Sequence, residues 1–193
     1  MPNWCNSAYA IEGDAKEVKK LYELMKGLQE RKEPSVKNGF GTTWLGCLVD
    51  ALGGDYDEVW CRGDWNALRF DGKVLRFSTT TAWSPCNETF DLVCEKFPSL
   101  RYFYQSEEPD MVEYWTNDRE GKYFPDRYIA DVCTDDWDYL TEYFTDMSAL
   151  FDWLGKIAER PVRSQQEVDA FEEEWKKENV HAFVNIHEYQ IMD

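Results

Sequence analysis

The residues best suited to recognition in this 193-residue chain are polar and aromatic side chains on two neighbouring predicted strands. The dipeptide Asp71-Gly72 separates the strand-like runs 57–70 and 73–82, and it is typical of a two-residue type I′ turn, whose central residues both need positive φ. Such a turn pairs Phe70 with Lys73 and thereby fixes the register of the hairpin. One face of the hairpin then carries a candidate ligand-binding patch, which consists of Trp60, Arg62, Asp64, Thr79, Thr81 and Trp83.

The chemistry of this patch would be binding rather than catalysis. Arg62 and Asp64 would set its polarity, and the indoles of Trp60 and Trp83 would offer flat, rigid contact area to a small molecule or a carbohydrate. The alternative is a solvent-exposed strand surface with ordinary cross-strand pairs. The ligand-binding hypothesis requires all six side chains to lie on one face of the sheet.

The sequence contains no recognisable catalytic or metal-binding constellation. His181 and His187 are the only histidines, and the six cysteines include no C-x-x-C pair, so zinc, iron–sulfur, Ser-His and Cys-His sites are not predicted. Adjacent carboxylates such as Glu107-Glu108 and Asp135-Asp136 are expected by chance in so acidic a chain, and Asp135 is better explained as a helix cap. We therefore predict no catalytic residue, no metal site and no cofactor.

The charge of the chain limits its partners. It contains 21 basic and 38 acidic residues, which give a net charge of −17, and residues 107–178 alone contain 21 acidic and 8 basic residues. Direct binding of nucleic acid is disfavoured, because few counterions would be released from the phosphate backbone. The acidic C-terminal half, with Trp137, Trp153 and Trp175, could instead dock a basic protein partner, although an acidic surface commonly serves only solubility.

Composition indicates a globular domain. Apolar residues make up 43% and aromatic residues 16% of the chain, which is enough for a substantial core. No run of about twenty apolar residues could span a bilayer, and no basic-then-apolar segment follows Met1. We therefore expect a cytosolic protein without a membrane partner.

The stretch 73–105 predicts a strand, a helix and a second strand. Strand 73–82 is followed by Ser84-Pro85, which supplies an N-cap hydroxyl and a proline suited to the first helical turn. Phe97-Pro98 ends the helix, and an aromatic-rich extended run follows at 100–105. The apolar stripe of this helix consists of Cys86, Phe90, Val93 and Phe97.

Further elements flank this unit. Residues 3–12 alternate as a strand, and the capping-box variant Asp14–Glu17 begins a helix that ends near residue 29. The apolar stripe of this helix consists of Val18, Leu21, Tyr22, Met25 and Leu28. Strands are also predicted at 111–117 and 128–133, where they extend the same sheet.

The last part of the chain is predicted to be mainly helical. A long helix is predicted from Thr134 or Asp135 to about Ala158, because apolar residues recur there at helical spacing: Trp137, Leu140, Phe144, Met147, Phe151 and Leu154. A second helix begins at the capping box Ser164–Glu167. Residues 182–192 form a closing strand.

The opening segment MPNWCNSAYAIEG carries a family resemblance. It resembles the start of a family of phage, plasmid and bacterial proteins of unknown function with a YubB-type ferredoxin-like domain. The resemblance continues through WCRGDWNA, the strand end 81–85, Phe97-Pro98 and Tyr104 with Glu107, and it covers roughly the first two-thirds of the chain. The residues that match the family motif are Asn3, Trp4, Cys5, Asn6, Trp65 and Pro85.

The resemblance implies a ferredoxin-like domain and an association with mobile genetic elements or their hosts, but no established activity. The predicted order of strand, helix, hairpin, helix and strand agrees with that fold. The expected class is thus α+β, with a ferredoxin-like antiparallel sheet and helices on one face in residues 1–133. Residues 134–193 are expected to form a helical extension whose final strand packs on the same domain.

Two functions follow from this sequence. The first is a non-enzymatic accessory protein that binds a protein partner through an acidic or aromatic surface. The second is a small-molecule or carbohydrate-binding domain, or an unrecognised enzyme, that uses the aromatic and polar sheet face.

Overall fold

A computed structural model describes residues 3–192, and within them it shows a mixed α+β protein with five helices and two mostly antiparallel sheets. The chain divides into two compact units, the first reaching Arg119 and including the last residues from Ile191, the second covering Glu120–Gln190. The first unit contains β1 (Trp4–Glu12), α1 (Ala15–Gln29), α2 (Leu45–Ala51), β2 (Gly63–Phe70), β3 (Leu75–Ala82), α3 (Asn87–Lys96), β4 (Arg101–Glu108) and β5 (Glu113–Thr116). The elements that follow are β6 (Tyr128–Cys133), β7 (Tyr139–Phe144), α4 (Met147–Ile157), α5 (Gln165–Glu178), β8 (Phe183–Glu188) and β9 (Gln190–Ile191).

The first sheet has the strand order β2-β3-β1-β4-β5-β9. Its central strand β1 is antiparallel to both β3 and β4, and Tyr9 lies opposite Phe77 on one side and Tyr104 on the other. The hydrophobic core lies between one face of this sheet and helices α1 to α3. There the Tyr9 ring lies 5.3 Å from Phe77 and 4.3 Å from Phe90, measured between ring centroids.

Helix α1 begins where the sequence predicts, and its start is attached to the loop before β4. Asp14 Oδ1 accepts from the N–H groups of Lys16 and Glu17 at 2.9 and 3.4 Å. The Glu17 carboxylate does not return to Asp14 but accepts from the N–H and Oγ of Ser99 at 3.1 and 2.7 Å. Gly13 has φ +154°, and a Cβ there would lie 2.4 Å from the Ser99 carbonyl oxygen, so this approach requires glycine.

Helix α3 begins later than the sequence predicts. Its N-cap is Cys86, without a side-chain capping bond, whereas Ser84 was expected to cap a helix that starts at Pro85. The reason is that the chain turns at Trp83, which has φ 74°, and the Thr81 hydroxyl donates to the Ser84 carbonyl oxygen at 2.8 Å. Ser84 and Pro85 therefore belong to the turn that leaves β3.

The β2–β3 hairpin does not have the predicted two-residue turn. The ladder closes at Phe70 and Leu75, so the loop contains four residues. Asp71 explains this loop, because its Oδ1 accepts from the N–H groups of Lys73 and Val74 at 2.9 and 2.8 Å. The side chain of Asp71 thus satisfies two backbone donors that a tighter turn would pair differently.

A β-bulge then changes the register along the same hairpin. Ala67, with φ 53°, lies in the irregularity between Asn66 and Arg69, where two residues of β2 oppose one of β3. Beyond the bulge, Asp64 lies opposite Thr80, whereas the prediction placed it opposite Thr79. A shift of one residue exchanges the two faces of a strand.

The second unit contains the antiparallel sheet β7-β6-β8 with helices α4 and α5 around a separate hydrophobic core. The prediction that residues 128–133 extend the first sheet is wrong, because they form the central strand β6 of the second. The predicted domain boundary after Cys133 accordingly falls at the end of β6, inside this unit. The predicted closing strand is divided between β8 in the second sheet and β9 in the first.

The predicted long helix from residue 134 to 158 is also wrong. The segment after Thr134 forms a hairpin loop, in which Thr134 Oγ1 accepts from the Asp138 N–H at 3.2 Å, and β7 follows. Helix α4 starts only after Asp146, whose carboxylate accepts from the Ala149 N–H at 2.9 Å. By contrast, α5 begins at Ser164 as predicted.

Among the described residues, no helix combines the length and apolar character needed to cross a bilayer.

Candidate functional site

The changed register divides the predicted patch between the two faces of the first sheet. Thr79 and Thr81 lie on the helix-facing side and are 1% and 0% exposed. Asp64 lies on the other side, which we call the outer face, and there it is opposite Thr80. The predicted residues therefore do not form one patch.

The remaining patch residues lie outside the ladder. Trp60 and Arg62 precede β2, and the guanidinium carbon of Arg62 lies 5.6 Å from the centroid of the Trp60 ring. The backbone of Trp60 is held by helix α3, since its N–H donates to Glu88 and its carbonyl accepts from Thr89, both at 2.9 Å. Trp83 follows β3 and is 45% exposed.

Six polar side chains form two rows across β3, β1 and β4 on the helix-facing side. Each is at most 3% exposed, and we call them the buried polar array. The first row is Thr79, Ser7 and Ser106, and the second is Thr81, Cys5 and Glu108.

Hydrogen bonds connect most of this buried polar array. Ser106 Oγ lies 2.9 Å from both Cys5 Sγ and Ser7 Oγ. One oxygen of Glu108 accepts from the Met111 N–H at 2.5 Å. Within residues 3–192, the other oxygen of Glu108 and the hydroxyl of Thr79 have no hydrogen-bond partner.

The buried polar array is not suited to nucleophilic chemistry. Burial raises the pKa of the Cys5 thiol, so the thiolate that attacks electrophiles is disfavoured at neutral pH. The same cause raises the pKa of Cys61 to about 11 and that of Cys86 to about 12. We interpret the array as a structural feature that fixes the register of three strands.

We expect the folded protein to react poorly with a disulfide reagent such as dithiobis(nitrobenzoate) at about pH 8, well below the raised pKa values of Cys61 and Cys86. All six cysteines are free and five are buried, with Cys94 partly exposed. The measurement is the absorbance of released thionitrobenzoate, first in buffer and then in denaturant. We expect reaction at Cys94 at most before unfolding and six equivalents after it. Rapid native reaction of a buried thiol would contradict this interpretation.

The outer face of the same strands carries a shallow depression of about 370 Å³. We call it the amide cup. Its side chains come from two rows of the ladder, Thr80-Asn6-Glu107 and Ser78-Ala8-Gln105, with Asn66 beside Ser78.

Two asparagines in the amide cup are oriented by hydroxyl groups of β3. Thr80 Oγ1 donates to Asn6 Oδ1 at 3.3 Å, and Ser78 Oγ donates to Asn66 Oδ1 at 2.6 Å. Because each carbonyl oxygen is occupied, each NH₂ group remains as a donor, and no described residue accepts from it. Ala8 between them is exposed and short, so it provides an open floor.

The electrostatics of the amide cup disfavour an anionic ligand. Its lining includes the carboxylate of Glu107, and no lining residue described is a lysine or an arginine. Asp64 continues the row beyond Thr80, and partial burial raises the pKa of its carboxyl group. The cup thus offers amide donors and hydroxyl groups to a neutral ligand.

The residues of the family motif are spread over these features. Asn6 lines the amide cup, and Trp4 lies two residues before it on the outer face with 47% exposure. The Asn3 carbonyl accepts from the Trp83 N–H at 2.9 Å. The other motif residues lie elsewhere: Cys5 in the buried polar array, Trp65 in the core and Pro85 in the turn before α3.

The family motif includes Asn6, but the sequence does not predict it, or the rest of the amide cup, as a binding site. Alternation in β1 placed Asn6 and Ala8 on one face, which was a usable signal. The missed residues are Ala8, Asn66, Ser78, Thr80, Gln105 and Glu107 as members of a site. The registers of β1 with β3 and β4 bring most of these residues together, and Asn66 joins them because the bulge at Ala67 shifts the register of β2, which the sequence does not reveal.

Comparisons with protein-family models, with curated proteins and with solved structures found no significant match to this chain.

Proposed function

We propose that this protein is a non-enzymatic binding protein whose amide cup holds a small, neutral, hydroxyl-rich ligand of the carbohydrate type. The observation that carries the proposal is the pair of asparagines held by cross-strand hydroxyls, Asn6 by Thr80 and Asn66 by Ser78. Groups fixed in this way lose little side-chain entropy when a ligand binds.

The composition of the amide cup supports this class of ligand. A sugar hydroxyl both donates and accepts, and the cup offers NH₂ donors from Asn6 and Asn66 and acceptor lone pairs on the hydroxyl oxygens of Ser78 and Thr80. Trp4 lies on the same face of β1 and adds an exposed indole. Its backbone is about 7 Å along the strand from that of Asn6, which is the rise of two strand residues. An apolar ring face of a sugar could stack on that indole.

The spacing of the carboxylates argues against glycoside hydrolysis at this site. Asp64 and Glu107 stand at opposite ends of one row, separated by Thr80 and Asn6. Three strand spacings amount to about 14 Å. Hydrolases of this kind place their two carboxyl groups about 5 to 9.5 Å apart. The carboxylate spacing therefore favours binding of a saccharide at the amide cup over its hydrolysis.

We further propose that β1 to β4 form a ferredoxin-like domain of the YubB type, from a cytosolic protein of mobile genetic elements or their hosts. The order β4-β1-β3-β2, with α1 and α3 in the two crossings, supports the ferredoxin-like part. The additional elements in the first unit are α2, β5 and β9.

The test is to fill the amide cup. Ala8→Leu should weaken saccharide binding by about tenfold or more, because its side chain would occupy the floor without changing any charge. Ala51→Leu, at an exposed position in α2, is the matched control and should bind as the wild type does. Binding is measured by saturation-transfer NMR against a panel of neutral mono- and disaccharides, followed by calorimetry of those that bind.

Two outcomes would overturn the proposal. One is that no saccharide in the panel binds the wild-type protein. The other is that Ala8→Leu and Ala51→Leu bind equally well. Ser78→Ala is a milder second variant, and it should weaken binding a few-fold because Asn66 loses the bond that orients it.

A further inference from the structure

Strand β7 of the second unit is an exposed edge strand. The strand order β7-β6-β8 leaves one side of β7 without a neighbouring strand among the described residues. Five of its six residues are exposed, and only Phe144 is buried. Such an edge presents unpaired backbone groups that can pair with another chain.

The backbone groups that face away from β6 can be identified from the hydrogen bonds at the two ends of β7. The carbonyl of Phe144 accepts from the Arg127 N–H at 2.7 Å, and that of Asp138 accepts from the Thr134 N–H at 3.0 Å. The even-numbered residues of β7 therefore direct their backbone N–H and C=O groups towards β6. The odd-numbered residues Tyr139 and Thr141 direct theirs to the opposite side, away from the sheet. The Tyr143 N–H has an acceptor in the Glu142 carboxylate at 3.2 Å.

The surroundings of β7 are acidic and aromatic. Residues 128–155 contain seven acidic residues and neither lysine nor arginine. The hairpin loop contributes Asp135, Asp136 and Asp138 directly before the strand. Trp137 and Tyr139 are 54% and 67% exposed. The edge therefore combines free backbone groups, negative charge and aromatic contact area.

We propose that the outer edge of β7 binds a basic, extended segment of another protein by adding it as a further strand of the sheet. Backbone hydrogen bonds to Tyr139 and Thr141 supply affinity, and the acidic side chains of the loop select lysine and arginine. A second copy of this chain is the wrong partner, because two chains that each carry a net charge of −17 repel each other.

The first experiment removes one outward N–H group. Thr141→Pro deletes the outward donor while leaving the bonds to β6, a position at which edge strands tolerate proline. Thr141→Val is the matched control, because both variants lose the Thr141 Oγ1 bond to Asp131 at 2.6 Å but only valine keeps the N–H. The probe is a fluorescein-labelled octapeptide of alternating lysine and valine, and its affinity is measured by fluorescence polarisation. We expect Thr141→Pro to bind about tenfold more weakly than Thr141→Val.

A charge variant tests the second part of the proposal without touching the strand. The triple change Asp135→Asn, Asp136→Asn and Asp138→Asn should lower the affinity for the lysine-valine peptide several-fold and reduce the salt dependence of that affinity. An alternating glutamate and valine peptide should not bind.

Four results would overturn the proposal. They are the absence of binding of the lysine peptide to the wild type, equal affinities of the proline and valine variants, no effect of the triple change, and a concentration-dependent dimer in light scattering. Circular dichroism of each variant confirms that the fold is kept. If Thr141→Pro does not fold, the wild-type protein is tested instead with two lysine-valine peptides, one N-methylated at every valine and one at every lysine. Affinities of both methylated peptides equal to that of the unmethylated peptide would overturn the strand addition.

Discussion

Replacing Trp65 with alanine is expected to lower the free energy of unfolding of the first unit by about 3 to 5 kcal/mol. Trp65 is among the largest fully buried side chains, with 1% exposure, and it lies opposite Thr79 at the border of the buried polar array. The substitution removes the aromatic ring and leaves a cavity that the surrounding strands and helices cannot fill. Urea denaturation followed by far-ultraviolet circular dichroism measures the change.

Trp65→Phe is the matched control for this prediction. The indole N–H of Trp65 has no hydrogen-bond partner in the part of the chain that the structure describes. Phenylalanine therefore removes no hydrogen bond and leaves a smaller cavity than alanine does, so it should cost clearly less than the alanine variant. A phenylalanine variant as unstable as the alanine variant would show that the N–H makes an important bond.

The second large effect is expected at Ser106. Ser106→Ala should lower the free energy of unfolding by about 1 to 3 kcal/mol, because it leaves a buried hydroxyl and a buried thiol without their nearest partner. Those groups are Ser7 Oγ and Cys5 Sγ, each 2.9 Å from Ser106 Oγ. Their mutual separation of 3.8 Å offers only a weaker substitute.

A double-mutant cycle shows whether the buried polar array acts as a unit. The variant with both Ser7→Ala and Ser106→Ala should be less destabilised than the sum of the single variants, with a coupling of about 0.5 to 3 kcal/mol. The reason is that removing both partners of one hydrogen bond leaves fewer unsatisfied groups. Additive effects would contradict the network. All four proteins are compared by the same urea titration.

Apolar periodicity predicted the helices whose buried faces are continuous. In α1, the buried residues Val18, Leu21, Met25 and Leu28 all belong to the predicted stripe. In α3, the predicted Phe90 and Val93 are buried although the helix starts later than expected. The pattern holds because one face of each helix must be buried against the sheet, and this does not depend on which residue caps the helix.

The same periodicity failed after β6 for a geometric reason. A spacing of four residues places Leu140 and Phe144 on one face of a helix, but it is an even number and also places them on one face of a strand. The hydrogen bonds between Thr134 and Asp138 close a hairpin loop, so this segment forms a strand pair and not a helix. Such contacts cannot be read from hydrophobic spacing.

The amide cup could not be predicted because both faces of β3 are polar. The run Ser78-Thr79-Thr80-Thr81 gives no contrast between inward and outward positions, so the register alone assigns the faces. That register depends on the bulge at Ala67 and on the side chain of Asp71 in the turn. The observed register of β2 with β3 differs by one residue from the predicted one, and this difference separates the predicted patch from the amide cup.

The central position of β1 has a consequence for how the protein is made. The ribosome produces β1 before either of its neighbours, since Trp4 pairs with Ala82 and Asn6 pairs with Glu107. Contacts so distant in the chain form slowly, because closing the long loop costs conformational entropy before the contact energy is gained. Until β3 has emerged the nascent β1 has two unpaired edges, and until β4 has emerged it still has one, with Tyr9 and Ile11 not yet covered; a chaperone would protect the chain in that interval.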